Sequence, residues 1–300
     1  MTELQKKIID LKKQKNALIL AHYYQTMDIQ EISDHVCDSF EMARRAHSAE
    51  QELLIICGVH FMAESAKILN PGKTVLLPAP DAGCPMADMI VPEDVIALRK
   101  RYPDAAVVCY VNSSAAVKAV SDICCTSSSA ERIVRALPEN QIIFIPDRNL
   151  GAYIASKVPE KEFLFHNGWC PIHDCIVVND VITAKASRPD AKLLVHPECR
   201  GDVLSRADFV GSTADIIKEA LNSDAGEFII GTEIGVVEHL SELAPEKRFY
   251  PLTSEFICED MKKTQLSDVL YSLEAGKYEM TLSADELNAA KLSLERMVGV

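Results

Sequence analysis

One pattern occurs three times in this chain, and any fold it adopts has to accommodate three like units. Cys84 lies in Ala82-Gly83-Cys84-Pro85-Met86, Cys170 in Gly168-Trp169-Cys170-Pro171-Ile172 and Cys258 in Phe256-Ile257-Cys258-Glu259-Asp260, at intervals of 86 and 88 residues. Other positions keep the beat. His22, Tyr110 and His196 end apolar runs, and Asp34, Asp122 and Asp208 precede stretches of small residues, at intervals of 88 and 86. Seven further cysteines exist, yet superposing the copies sets Cys37 with Cys125 and Gly211, and Cys57 with Ile145. Only the column of Cys84, Cys170 and Cys258 is cysteine in every copy. Three equivalent loops, each bringing one thiolate to a pseudo-threefold axis, make a site with three protein ligands and room for a fourth that is not protein. That is the geometry of a catalytic metal centre.

Within each copy, short and continuously apolar runs alternate with helical spacing. Ala17 to Ala21, Leu53 to Cys57 and Thr74 to Leu77 suit strands buried on both faces, as in a parallel sheet. Phe40 to His47 and Phe61 to Leu69 read as helices, the second stopped by Asn70-Pro71-Gly72. Copy two answers with Ala106 to Val111, Gln141 to Ile145 and Glu162 to Phe165, and copy three with Lys192 to Val195, Glu227 to Ile230 and Arg248 to Leu252. The expected fold class is α/β: three pseudo-threefold-related αβα domains with parallel sheets around a central cavity. Their expected limits are 1–104 with an N-terminal helix, 105–190, and 191–300 with a C-terminal helix. Ligands of such sheets bind at the carboxyl ends of the strands, so the copies would aim those ends at one cavity.

Composition narrows the function classes. Of 300 residues, 48% are hydrophobic and 25% charged, which is globular material rather than disorder. No apolar run approaches a membrane span, and Met1 to Gln14 reads as a charged amphipathic helix rather than a signal peptide, so the expected location is cytoplasmic. Ten cysteines in an intracellular chain argue for reduced thiols and a metal rather than a disulfide framework. A net charge of −13 without a basic block counts against nucleic acid and anionic membranes as partners. Any anionic substrate must then be held by local features.

Two columns supply those features. At the end of the first strand the copies read His22-x-Tyr24, Tyr110-x-Asn112 and His196-x-Glu198, six polar groups in register where ligands bind. Imidazole, phenol and carboxylate are the groups that proton transfer in a water-poor cleft requires. The next column is Asp38-Ser39, Thr126-Ser127 and Ser212-Thr213, each ahead of a helical stretch. Such hydroxyls can cap a helix and nothing more, or can frame helix N-termini that bind phosphate and carboxylate. For the cysteine column the alternative is structural zinc, which takes four protein ligands in paired motifs that are missing here. Three cysteines fit a cubane iron–sulfur cluster whose fourth iron has no protein ligand, a Lewis acid suited to removing hydroxide from carbon.

With these residues in hand the chain resembles the quinolinate synthase family over essentially its whole length. The resemblance rests on Leu20-Ala21-His22-Tyr23-Tyr24-Gln25, Cys84-Pro85-Met86-Ala87, Tyr110-Val111-Asn112-Ser113, Pro146-Asp147-Arg148-Asn149-Leu150-Gly151, His196-Pro197-Glu198-Cys199, Val210-Gly211-Ser212-Thr213 and Gly231-Thr232-Glu233-Ile234-Gly235, in the family's order. It implies three αβα domains around a [4Fe-4S] cluster on Cys84, Cys170 and Cys258. It implies a transferase of de novo NAD synthesis that condenses iminoaspartate with dihydroxyacetone phosphate, releasing phosphate and two waters. An aspartate-oxidising enzyme that supplies iminoaspartate is the partner implied. Carried over by motif, Tyr24, Tyr110 and Asn112 would position substrate, Ser39, Ser127, Ser212 and Thr213 would hold carboxylates and phosphate, and His22, His173, His196 and Glu198 would handle protons, with Glu198 the first choice for the base. Some family members carry a CxxCxxC cluster near the C-terminus, and this chain does not, so its redox role is not carried over. The rival readings are another cluster-dependent hydro-lyase, which would not need phosphate loss, and a non-catalytic iron–sulfur sensor, which would need a partner element that the sequence lacks.

Overall fold

The computed structural model describes residues 1–299, and in it the apolar runs form three separate four-stranded sheets, every pairing parallel. The strands are β1 (Ala17–His22), β2 (His35–Cys37), β3 (Leu53–Cys57), β4 (Thr74–Leu76), β5 (Ala106–Tyr110), β6 (Ile123–Cys125), β7 (Gln141–Ile145), β8 (Glu162–Phe165), β9 (Lys192–Val195), β10 (Phe209–Val210), β11 (Glu227–Gly231) and β12 (Arg248–Pro251). The sheet orders are β2-β1-β3-β4, β6-β5-β7-β8 and β10-β9-β11-β12, one winding used three times. The expected α/β class with three αβα units is therefore what the chain forms.

Period-two alternation explains why the central strands are apolar at every position. In the first sheet Leu18, Leu20, Leu54 and Ile56 belong to one core cluster, while Ala17, Ile19, Ala21, Ile55 and Cys57 belong to another on the opposite face. The third sheet divides the same way, with Leu194, Phe228 and Ile230 on one side and Leu193, Val195 and Ile229 on the other. Helices cover both faces, as an all-parallel sheet demands.

The aspartates that keep the repeat beat hold each unit together. Ile19, Val107 and Leu193 donate their backbone N–H groups to Asp34, Asp122 and Asp208 at 2.8, 2.8 and 2.7 Å. A cation from the preceding helix then meets each carboxylate: Lys12 on Asp34 at 2.9 Å, Arg99 on Asp122 at 2.6 Å and Lys185 on Asp208 at 2.8 Å. Lead-in helix, first strand and second strand are thus tied by one carboxylate per copy.

The same beat explains the tail. Each cysteine loop is followed by a helix whose third residue, Asp94, Asp180 or Asp268, accepts from the N-cap backbone N–H at 3.1, 2.8 and 3.0 Å. Helices Pro92–Arg101 and Val178–Ser187 lead into the second and third sheets. Leu266–Ala275 has no fourth sheet to enter and lies against Glu3–Gln14 instead, Val269 and Leu273 joining Ile8 in the first unit's outer cluster. The last helix, Ala284–Val298, follows the third copy in sequence but packs on helices His60–Leu69 and Ala115–Ala119 and on β6. It buries Ala290, Leu294 and Met297 in the core shared by the first two sheets, and Ser293 donates to the Lys118 carbonyl at 2.9 Å.

Replacing Asp34, Asp122 or Asp208 with Ala should lower unfolding stability by about 1 kcal/mol each, since a partly exposed charge-assisted hydrogen bond is lost in every case. Urea titration of the three variants checks this, and a loss at only one position contradicts the equivalence of the three ties.

Candidate active site where the three sheets meet

The carboxyl ends of β1, β5 and β9 and the three cysteine loops surround one cavity of about 280 Å³. His22, Tyr24, Ser39, Tyr110, Asn112, Ser127, His173, His196, Glu198 and Thr213 line it, as do Cys84, Cys170 and Cys258. Ser212 is the one expected site residue that does not. Its hydroxyl accepts from the Asp215 N–H at 3.2 Å and donates to the Asp215 carboxylate at 2.6 Å, a capping box for helix Thr213–Asn222. Asp38 is a simple N-cap for helix Ser39–Ser48, accepting from the Glu41 N–H at 2.9 Å. In both copies the residue after the cap, Ser39 or Thr213, faces the cavity; in the first copy the cap Asp38 lines it as well. The second copy departs from this. Its helix begins at Ala130, with Ser129 at the N-cap, which leaves Ser127 clear of the cap and 3.3 Å from His196 Nε2.

One backbone hydrogen bond, used three times, pins the cysteine loops. His60, Arg148 and Ile234 donate N–H to the carbonyls of Ala82, Gly168 and Phe256, each two residues before a cysteine, at 2.8, 2.9 and 2.9 Å. The loops also touch one another: Gly83 N–H donates to Asp260 at 3.1 Å, and Trp169 N–H lies 3.4 Å from the Met89 sulfur. Burial raises the Cys84 thiol to about 12 and the Cys258 thiol to about 11, and holds Cys170 well above its ordinary value, with Glu198 and Cys84 adding to the last. These are not activated nucleophiles, which need a lowered pKa. Cys199, beside the strand-end motif, is fully buried against the Gly231 carbonyl and is absent from the cavity wall.

The acid–base groups form one network. Glu198 accepts from the Tyr110 hydroxyl at 2.6 Å and lies 2.9 Å from His173 Nδ1, which is also 3.2 Å from the Cys170 sulfur. His173 Nε2 meets Thr232 at 3.0 Å, Thr232 meets the Tyr24 hydroxyl at 2.8 Å, and Tyr24 meets Thr213 at 3.1 Å. Burial disfavours ionisation of Glu198, but the imidazoles of His196 and His173 and the hydrogen bonds from His173 and Tyr110 outweigh it and hold the carboxyl below the usual range. Burial, aided by Glu198, keeps Tyr24 and Tyr110 as protonated phenols. Burial and the neighbouring His196 lower His22 to about 3, and burial lowers His196 to about 4 despite Glu198. Their Nδ1 atoms face the backbone N–H groups of Tyr24 and Glu198, at 3.2 and 3.4 Å, so the neutral rings carry the proton on Nε2. The buried Asn112 side-chain oxygen has no partner among the described residues, an acceptor suited to a ligand's donor.

Three contributors were not assigned from sequence. Thr232 bridges Tyr24 and His173, and Glu233 lines the cavity while fully buried. Asp260 joins the first and third loops. Asp147 and Glu233 share a repeat column with Val59, and that register was the available signal. Cys170, His173 and Glu198 also offer ligand atoms within 4.8 Å of one another, close enough for a single metal ion.

Fold and cavity define an α/β protein with a buried acid–base site and three thiols at the meeting point of its repeats. The family model described as Quinolinate synthetase A protein, NadA, matches residues 6–299. The chain is 50% identical over 296 residues to a quinolinate synthase of Caldicellulosiruptor saccharolyticus, covering 99% of this chain and 98% of that protein. It is 48% identical to a quinolinate synthase of Clostridium kluyveri (97% and 96% covered), and 47% identical to quinolinate synthase 2 of Methanosarcina acetivorans (97% and 93% covered). The chain belongs to the quinolinate synthetase A family.

The two neutral histidines set a pH dependence. An unfolded histidine takes up its proton near pH 6.5, whereas the folded protein refuses it until about pH 4 at His196 and about pH 3 at His22. Between 6.5 and 4 the unfolded chain therefore binds more protons, and stability falls as pH falls, by up to about 1.4 kcal/mol per pH unit for each histidine. Chemical denaturation of metal-free protein across this window should show the slope, and His196→Asn should remove one histidine's share. A slope unaffected by that substitution contradicts the neutral assignment.

Proposed function

We propose that this protein is a quinolinate synthase, condensing iminoaspartate with dihydroxyacetone phosphate to quinolinate, phosphate and two waters for NAD synthesis. The observation that carries the reading is the meeting of three repeat-related thiols with the Glu198–Tyr110–His173 network in one cavity, in a chain of this family. Atoms balance without an oxidant, so the work is proton transfer and loss of oxygen leaving groups. Three thiols in one repeat column, with no fourth cysteine among the described residues of the cavity wall, fit a [4Fe-4S] cluster with one iron free of protein ligands. When bound, such a cluster supplies Lewis acidity toward an oxygen that must leave carbon.

The chain's own groups would divide the remaining tasks. Ionised Glu198 accepts protons in the isomerisation and enol steps, and Tyr110 and His173 aim its two oxygens. Neutral His22 and His196 offer Nε2–H to substrate oxygens rather than acting as imidazolium acids. Ser39 and Thr213, at helix N-termini, with Ser127, would hold phosphate and carboxylates against the chain's net charge of −13. Tyr24 and Asn112 would orient the condensed chain. The division into units 1–104, 105–190 and 191–300, the cytoplasmic location and the supply of iminoaspartate by an aspartate-oxidising enzyme belong to the same reading. A single ion on Cys170, His173 and Glu198 is the second reading that the geometry allows, and it would leave Cys84 and Cys258 without a task.

Anaerobic reconstitution followed by iron, sulfide and quinolinate assays tests the proposal. Cys84→Ala, Cys170→Ala and Cys258→Ala should each lose the cluster and activity, and Cys199→Ala should keep both. Glu198→Gln should retain iron yet lower quinolinate formation by about 10² to 10⁴, the usual cost of a lost general base. Near-normal turnover of Glu198→Gln would rule it out as the base, and an intact four-iron centre in Cys258→Ala would sink the ligand assignment.

A further inference from the structure

The three cysteine loops share their backbone pin but not their side-chain support. In the first two, proline follows the cysteine, Pro85 and Pro171, and limits the backbone. In the third, Glu259 takes that place. The repeat column of Val59, Asp147 and Glu233, at the start of the helix that pins each loop, differs as well. Asp147 is an N-cap, accepting from Asn149 and Leu150 at 2.8 Å each, and it also receives the Cys170 N–H. Glu233 accepts from the Cys258 N–H at 3.3 Å and the Gly235 N–H at 2.7 Å, and pairs with Lys262 at 2.9 Å. Lys262 lies four residues beyond Cys258, and its backbone N–H donates to the Cys258 carbonyl at 3.2 Å. The same ammonium donates to the Tyr24 carbonyl at 2.6 Å. Glu233 is fully buried and the Lys262 side chain is one-fifth exposed, so the pair is largely shielded from screening.

We infer that the Glu233–Lys262 pair is a positioning device peculiar to the third copy, which takes over the task of the missing proline and fixes Cys258 and the His22–Tyr24 strand end as one unit. It rests on the reading of Cys258 as a metal ligand. An ion pair gives direction where proline gives only stiffness. The carboxylate holds the cysteine amide from one side, and the ammonium, itself part of the cysteine loop, reaches across to the first copy. Space there is tight, since a Cβ on Gly235 would stand 2.7 Å from the Tyr23 carbonyl oxygen. Copies one and three therefore meet at a fixed distance, and the third thiol is set by that meeting. Without the pair, the third ligand should loosen while the second stays in place.

Removing one partner would leave a buried charge and risk unfolding, so the test uses the double variant Glu233→Met/Lys262→Met, in which no charge is stranded. Site-resolved alkylation of metal-free protein by iodoacetamide, read by mass spectrometry, should then modify Cys258 about tenfold faster than in wild type, as expected of a locally opened loop. Cys170, held by Asp147 and Pro171, is the internal reference and should not change. Lys262→Arg, which keeps the pair, should stay within about twofold of wild type. After anaerobic loading, the double variant should also give up iron to a chelator faster. An unchanged Cys258 rate, or a Cys170 rate that rises equally, overturns the inference. If wild-type protein takes up no iron at all, the cluster reading fails while the alkylation result still decides the role of the pair.

Discussion

The site depends on a backbone hydrogen bond that recurs in every copy. An N–H at the start of a helix holds the carbonyl two residues ahead of a cysteine, through His60, Arg148 and Ile234. That N–H is one of the donors a helix leaves free at its first turn, so the pin needs no particular side chain and survives the divergence of the copies. It places each cysteine at the carboxyl edge of its own sheet, the edge where first-strand residues also present their polar groups. Three sheets facing inward then bring three thiols and six polar side chains to one cavity without any long-range feature beyond the packing of the units.

Within the cavity, burial sets the electrostatics. It keeps two tyrosines and two histidines neutral, and it would neutralise Glu198 as well if His173, His196 and Tyr110 did not oppose it. The result is a buried Glu198 carboxylate set among neutral phenols and imidazoles. The chain's strong negative charge has little to do with the site. In the proposed reaction, anion binding would fall to hydroxyls and helix N-termini in the cavity wall, which act at short range and do not require a basic surface.

Much of this was legible in the sequence because the repeat supplies an internal alignment. The cysteine column singled out the three thiols that line the cavity from ten cysteines, and it excluded Cys199, which adjacency alone would have favoured. Strand limits such as Gln141–Ile145 and Lys192–Val195 could be read from apolar runs because both faces of a parallel sheet are buried. Legibility ends where the copies differ. Ser212 was grouped with Thr213, and its hydroxyl makes a capping box with Asp215 and is not part of the cavity wall. The tail helix Ala284–Val298 followed the third copy in sequence and packed elsewhere, because its apolar stripe fits the seam between the first two sheets and no repeat partner foretells that. Thr232 and Glu233 went unassigned because their work is done through other residues, a role that spacing does not reveal.

The central claim is that triplication brings three thiols to one metal group. Diffraction from anaerobically loaded crystals, measured at the iron absorption edge, tests it most directly. The account predicts one compact iron group in contact with the sulfurs of Cys84, Cys170 and Cys258. Iron held instead by Cys170, His173 and Glu198, with Cys84 and Cys258 left as free thiols, would contradict it.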